Sequence, residues 1–185
     1  MSGIDLAKAS DWFPVISSLT SLLELHFSRC GLNWLPSNLT TVSFTSLIVL
    51  DLSWNSFDSM LLPGWIFSLR NLALLDLSYC GISGVNPGTH DGFHSMPSLR
   101  TLRVAGKTFV NSSSFLNGIL SSLSNLHFLD VSYCHISSPV LVHLQNLSLI
   151  EYLDLSNNQI IEEIPKSLSN LCNFTTLNLH DVGAS

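Results

Sequence analysis

Apolar and polar positions alternate along this chain in short bursts that return at a steady interval. Leu153-Asp154-Leu155-Ser156-Asn157-Asn158-Gln159-Ile160 shows the pattern most fully. It recurs at Leu50-Asp51-Leu52-Ser53-Trp54-Asn55-Ser56-Phe57, at Leu75-Asp76-Leu77-Ser78-Tyr79-Cys80-Gly81-Ile82 and at Leu129-Asp130-Val131-Ser132-Tyr133-Cys134-His135-Ile136. Looser copies begin at Leu25, Leu102 and Leu177, so the intervals are 25, 25, 27, 27, 24 and 24 residues. Each burst has the period of two that belongs to a strand, with the leucines on one side and the residue between them on the other. One such unit cannot bury its apolar side alone, whereas stacked neighbours share a continuous core. Strands are therefore expected near 25–27, 50–52, 75–77, 102–104, 129–131, 153–155 and 177–179. They would form one parallel sheet on the inner face of a curved solenoid, with short 3-10 or α turns on its convex side. The 185 residues are read as a single domain of about seven coils, uncapped at both ends.

The residue that follows the strand carries a second signal. Asn55 and Asn158 sit where the chain leaves the strand, and an amide there can both donate to and accept from the backbone of the bend and of the next coil. Cys30, Cys80 and Cys134 hold the same register, where a compact weak donor can be buried. They are read as buried thiols rather than a disulfide framework, because they are spread one per coil. Lys107 departs from the rule and is expected to snorkel. Between strands, Ser10 or Asp11 is read as the N-cap of a helical turn at Trp12-Phe13-Pro14. The stretches 85–92 and 111–114 are read as loops from their Gly, Pro, Asn and Ser content.

A period of 20 to 29 residues with this spacing is the signature of a leucine-rich repeat. The Leu-x-x-Leu-x-x-Leu-x-Leu-x-x-Asn frame, with the bend Ile160-Ile161-Glu162-Glu163-Ile164-Pro165-Lys166-Ser167-Leu168, resembles the plant-specific form of that repeat. Residues 5–12 and 21–26 resemble the N-terminal repeats of extracellular receptor-like proteins, a class that includes plant receptors for fungal elicitors. The resemblance implies a module that binds a protein or peptide ligand at the outer face of the plasma membrane. It also implies co-receptor kinases acting with the full-length parent. A secreted inhibitor of a cell-wall-degrading enzyme, of the polygalacturonase-inhibitor type, and a truncated product without activity remain as alternatives.

Composition narrows the choice. The chain is 46% hydrophobic, only 11% charged, and carries a net charge of −6. Arg100, Arg103 and Lys107 do not make a nucleic-acid footprint. No apolar run approaches the roughly 18 residues needed to span a bilayer. The first residues do not read as a signal peptide. No nucleophile elbow, phosphate loop or Cys-x-x-Cys occurs, so no enzyme activity is expected. His90, Asp91 and His94 lack a fourth ligand at a fixed spacing, so neither a metal nor another cofactor is expected. The outward strand positions are left as the candidate ligand-binding residues. One column is His26, Asp51, Asp76, Arg103, Asp130 and Asp154; beside it run Arg29, Trp54, Tyr79 and Tyr133. Exposed aromatic rings next to charges suit protein recognition. Asn38, Asn111, Asn146 and Asn173 head Asn-x-Ser/Thr sequons, which matter if the chain passes through a secretory pathway.

Overall fold

Seven short strands built on the repeated leucines lie side by side in a computed structural model of the chain. They are β1 Glu24–His26, β2 Val49–Asp51, β4 Leu74–Asp76, β6 Thr101–Arg103, β7 Phe128–Asp130, β8 Tyr152–Asp154 and β9 Thr176–Asn178. All pair in parallel in the order β1-β2-β4-β6-β7-β8-β9. The structure describes residues 4–9, 11–37, 39, 42–58, 60–85, 92–106, 112–137, 143–160 and 166–183. Equivalent leucines are in register: Leu25, Leu50, Leu75, Leu102, Leu129, Leu153 and Leu177 face one another from strand to strand. All but the last are buried. Each strand sits one residue earlier than the leucine spacing suggested. The second leucine lies just past the strand, although its N–H still bonds the next coil, as in Leu52 to the Asp76 carbonyl at 2.9 Å.

A second, two-stranded parallel sheet pairs β3 Leu61–Leu62 with β5 Gly84–Val85. A parallel bridge between Ser137 and Gln159 joins the fifth and sixth coils in the same way, three coils on. The convex side carries 3-10 turns at Gly64–Ser68, Gly92–Ser95 and Lys166–Asn170. Their apolar residues close the core: Trp65, Ile66, Phe67, Phe93 and Leu168 are buried. The fourth coil differs. Ser112–Ser114, expected in a loop, begin α2 Ser112–Ser122. The apolar stripe Leu116, Ile119, Leu120, Leu123 has helical spacing and is buried. Burial of that stripe outweighs the weak helix propensity of the serines.

The N-terminal helix α1 Trp12–Ser17 buries Trp12 and Phe13 against the first coils. Phe13 stands edge-on to Phe44 at 5.8 Å, and Trp65 packs on it at 5.2 Å. Asp11, one of the two expected N-cap residues, stands at the N-cap; its main-chain carbonyl accepts from Val15 N–H at 3.2 Å, but its side chain makes no cap bond. Ser10 lies outside the described residues, as do Lys107 and residues 86–91 of the expected loop, whose two ends are instead the last residue of β5, Val85, and the first of a 3-10 turn, Gly92.

The post-strand asparagines hold neighbouring coils together, and they reach backward rather than forward. Asn55 Oδ1 accepts from Cys30 N–H at 3.1 Å and Leu32 N–H at 3.0 Å, while its Nδ2 donates to the Phe27, Leu52 and Ser53 carbonyls. Asn158 repeats the set on Cys134, Ile136, Val131, Leu155 and Ser156. Where a thiol stands in this register, it donates to the same kind of carbonyl. Cys80 Sγ reaches Leu52 O at 2.9 Å and Cys134 Sγ reaches Val104 O at 3.1 Å. Burial pushes both thiols up to about 12.

Candidate ligand-binding face

The parallel register decides which outward residues become neighbours. His26, Asp51, Asp76, Arg103, Asp130, Asp154 and Asn178 are successive partners across the sheet and form one column on its concave face. The aspartates are less free than an exposed column implies. One carboxylate oxygen of each is turned back to its own coil. Asp51, Asp130 and Asp154 accept there from the N–H and hydroxyl of Ser53, Ser132 and Ser156, and Asp76 accepts from Ser78 N–H. The other oxygen points along the column. His26 approaches Asp51 at 3.9 Å, Arg103 approaches Asp76 at 3.7 Å, and Asn178 donates to Asp154 at 2.8 Å. Burial holds the Asp76 carboxyl above the ordinary carboxylate range, and the neighbouring Asp51 charge adds to this.

Beside this column the backbone turns left-handed in every coil. Arg29, Trp54, Tyr79, Tyr133 and Asn157 have φ between 55° and 57°, and Gly106 has 84°. Their N–H groups continue the ladder, as in Trp54 to the Ser78 carbonyl at 2.8 Å and Tyr79 to the Ala105 carbonyl at 2.7 Å. Left-handed backbone suits Gly and Asn, and costs about 1 to 2 kcal/mol for other residues. The large side chains raised here form a ridge. The Arg29 guanidinium lies 4.6 Å over the Trp54 ring, and Trp54 stacks on Tyr79 at 4.2 Å with 20° between the planes. Tyr79 in turn lies over Gly106, in the space that a Cβ there would need. Trp54 and Tyr133 remain 49% and 47% exposed. Four of the candidates, Arg29, Trp54, Tyr79 and Tyr133, thus share one ridge.

Two further columns border the face, and the sequence reading passed over both. Glu24, Val49, Leu74, Thr101, Phe128, Tyr152 and Thr176 open the strands and are mutual partners. Within that column Phe128 stacks on Tyr152 at 4.2 Å, and Arg103 lies 4.8 Å over Phe128. Beyond it stand Leu23 and Ile48, 52% and 40% exposed. The alternation that put His26 outward puts Glu24 outward too, so the signal was present two positions upstream of it.

Of the sequons, Asn146 and Asn173 are exposed, and Asn38 and Asn111 lie outside the described residues. Asn173 Nδ2 donates to the Ser148 carbonyl at 2.8 Å, the same bond to the preceding coil that Asn71 and Asn125 make. His90 and Asp91 lie outside the described residues, and among those described no three His, Cys, Asp or Glu side chains gather as metal ligands would. No helix among the described residues is long and apolar enough to cross a membrane.

Comparison with known proteins bears on what such a face is for. The family model described as Leucine Rich Repeat matches residues 46–69, 71–93, 125–147 and 149–171. Receptor-like protein 39 of Arabidopsis thaliana is 27% identical over 88% of this chain, and Receptor-like protein EIX2 of Solanum lycopersicum is 33% identical over 68% of it. The aligned part spans only 21% and 12% of the length of those two proteins. Among solved structures, the LRR ectodomain of the plant membrane receptor kinase GASSHO1/SCHENGEN3 from Arabidopsis thaliana superposes with a TM-score of 0.69. That ectodomain, in complex with CASPARIAN STRIP INTEGRITY FACTOR 2, is 27% identical over 89% of this chain and 19% of its own.

Proposed function

Because the chain belongs to the leucine-rich-repeat family, we propose that it is the protein- or peptide-binding part of a plant receptor-like protein, with the concave face as its ligand surface. One observation carries the reading: three aromatic side chains are raised on left-handed backbone and left exposed, where Gly106 and Asn157 show that unstrained residues fit the same register. Strain kept at a surface is a mark of use rather than of stability. Rigid aromatic anchors beside an arginine are the residues that dominate protein interfaces. The likeness to an ectodomain solved with CASPARIAN STRIP INTEGRITY FACTOR 2 supports the same direction. His26, Asp51, Asp76, Arg103, Asp130 and Asp154 flank the ridge as polar contacts, the aspartates through the one oxygen that their own serines leave over. The parent protein works at the outer face of the plasma membrane, with co-receptor kinases as signalling partners. Asn38, Asn111, Asn146 and Asn173 are its sugar acceptors. The chain binds and does not catalyse.

The test uses the purified chain to select binders from a displayed library of random peptides. Trp54→Asn with Tyr79→Asn is expected to weaken the selected peptides by about thirtyfold or more, with the far-ultraviolet circular dichroism unchanged. Selected peptides that bind wild type and double variant within about twofold of each other would overturn the concave-face reading.

A further inference from the structure

The face is not uniform along its length, and its first coils specify a ligand chemistry. On one side of the column stand the Leu23 and Ile48 side chains, with Val49 and Leu74 half-buried beside them. On the other side stands the Arg29–Trp54–Tyr79 stack. Between these two apolar walls lie Asp51 and Asp76, register partners on adjacent strands. Each has one oxygen committed to its own coil. The remaining oxygens face a histidine at 3.9 Å and an arginine at 3.7 Å, distances longer than those of a close charge-assisted hydrogen bond. Arg103 is also drawn aside over the Phe128 ring. The floor of this part is therefore a pair of carboxylates one coil apart, the part-exposed Asp51 loosely paired with His26 and the buried Asp76 loosely ion-paired with Arg103.

The walls limit what can lie above that floor. Arg29 covers one face of the Trp54 ring and Tyr79 covers the other, while Tyr79 rests on Gly106. Ring edges, not faces, are offered to a ligand. A sugar ring packs its C–H surface on an aromatic face, so the stack is a poor sugar platform. Aliphatic side chains can pack along ring edges and against Ile48, Val49 and Leu74. A cationic side chain with a long aliphatic stem suits both the walls and the floor.

Resting on the concave-face reading, we propose that these first coils take an extended peptide segment whose lysine or arginine lies over Asp51 and Asp76, flanked by apolar residues against the Ile48–Leu74 wall and the Trp54–Tyr79 ridge. The peptide crosses the strands, so that successive side chains meet successive coils.

The probes are three random hexapeptide pools with lysine, glutamine or glutamate fixed at the third position, and the neutral oligosaccharide cellohexaose. Each is titrated against the full chain, Asp51→Asn/Asp76→Asn, and Trp54→Asn/Tyr79→Asn. Asparagine keeps the oxygen that the serine N–H groups need and removes only the charge. The lysine pool is expected to bind wild type at least about tenfold better than the glutamate pool. That preference should vanish in Asp51→Asn/Asp76→Asn. It should also shrink in wild type between about 0.05 and 0.5 M salt, which tests the charge pairing without any substitution. Pools that bind equally well, yet depend on Trp54 and Tyr79, would overturn the cation assignment and leave the concave-face reading standing. Pools that bind independently of Trp54 and Tyr79 would overturn both. Cellohexaose binding that is lost in Trp54→Asn/Tyr79→Asn would overturn the peptide in favour of a glycan.

Discussion

At the scale of single residues, the asparagine after the strand is the most informative position. Asn158 satisfies two N–H groups and three carbonyls, and is buried. Removing it leaves several buried backbone groups without partners, each costing about 1 to 3 kcal/mol, less whatever water recovers. Asn158→Ala is therefore expected to lower the stability to urea unfolding by about 3 kcal/mol, and Cys80→Ala by about 1 kcal/mol, since a thiol makes weaker bonds. That an asparagine was needed here was legible in the sequence. The direction of its bonds was not, because the pattern does not say which coil has amides to spare. Asp76 allows a different check. Its folded-state pKa is raised, chiefly by burial, so the charged form is the disfavoured one. Its protonation should add stability as pH falls through the folded value, with the gain complete below the ordinary value of 3.8. Asp76→Asn, which keeps the acceptor for Ser78 N–H, should match or exceed wild-type stability at pH 7 and remove that acid gain. Lower stability of the variant at pH 7, measured by urea titration, would contradict the burial argument.

At the scale of elements, the left-handed ridge and α2 mark where local reading succeeded and where it stopped. Period-two alternation found the outward columns because the strands share one register, although Asp76 and Asp154 are buried and Leu177 is exposed, yet it started each strand one residue late. The ladder opens before the first leucine, and so Phe128 and Tyr152 were overlooked. The turn residues could not be assigned a left-handed backbone from their identities, since Trp and Tyr avoid it as a rule. Repetition of Gly106 and Asn157 in the same register was the available clue. Gly106→Ala joins the two themes. A Cβ would meet the Tyr79 ring, and the φ of 84° strains any side chain. The variant is expected to lose about 1 to 3 kcal/mol and to move Tyr79 off Trp54, with a changed near-ultraviolet circular dichroism. In α2 the serines at its start read as loop, while the stripe from Leu116 to Leu123 reads as helix; core burial settled the contest in favour of the stripe.

At the scale of the whole molecule, the leucine interval was sufficient to specify a parallel stack, because each coil meets only its neighbours. The same one-dimensional design makes stability uneven. Leu177, in the register of six buried leucines, is 39% exposed. Amides of β9 are expected to exchange with solvent faster than those of β4 to β7 in native-state hydrogen exchange. Uniform protection across all seven strands would show a more cooperative body than nearest-neighbour stacking gives. Ligand identity is not written in the interval at all. It lies in the outward residues, which the core leaves unconstrained. The most direct test of the central claim is a hydrogen-exchange footprint of a selected lysine-containing peptide on the full chain. Slowed exchange at Val49–Asp51, Leu74–Asp76 and the left-handed residues Trp54 and Tyr79 is the predicted result. Slowing confined to the convex turns at Gly64–Ser68 and Gly92–Ser95 would contradict it.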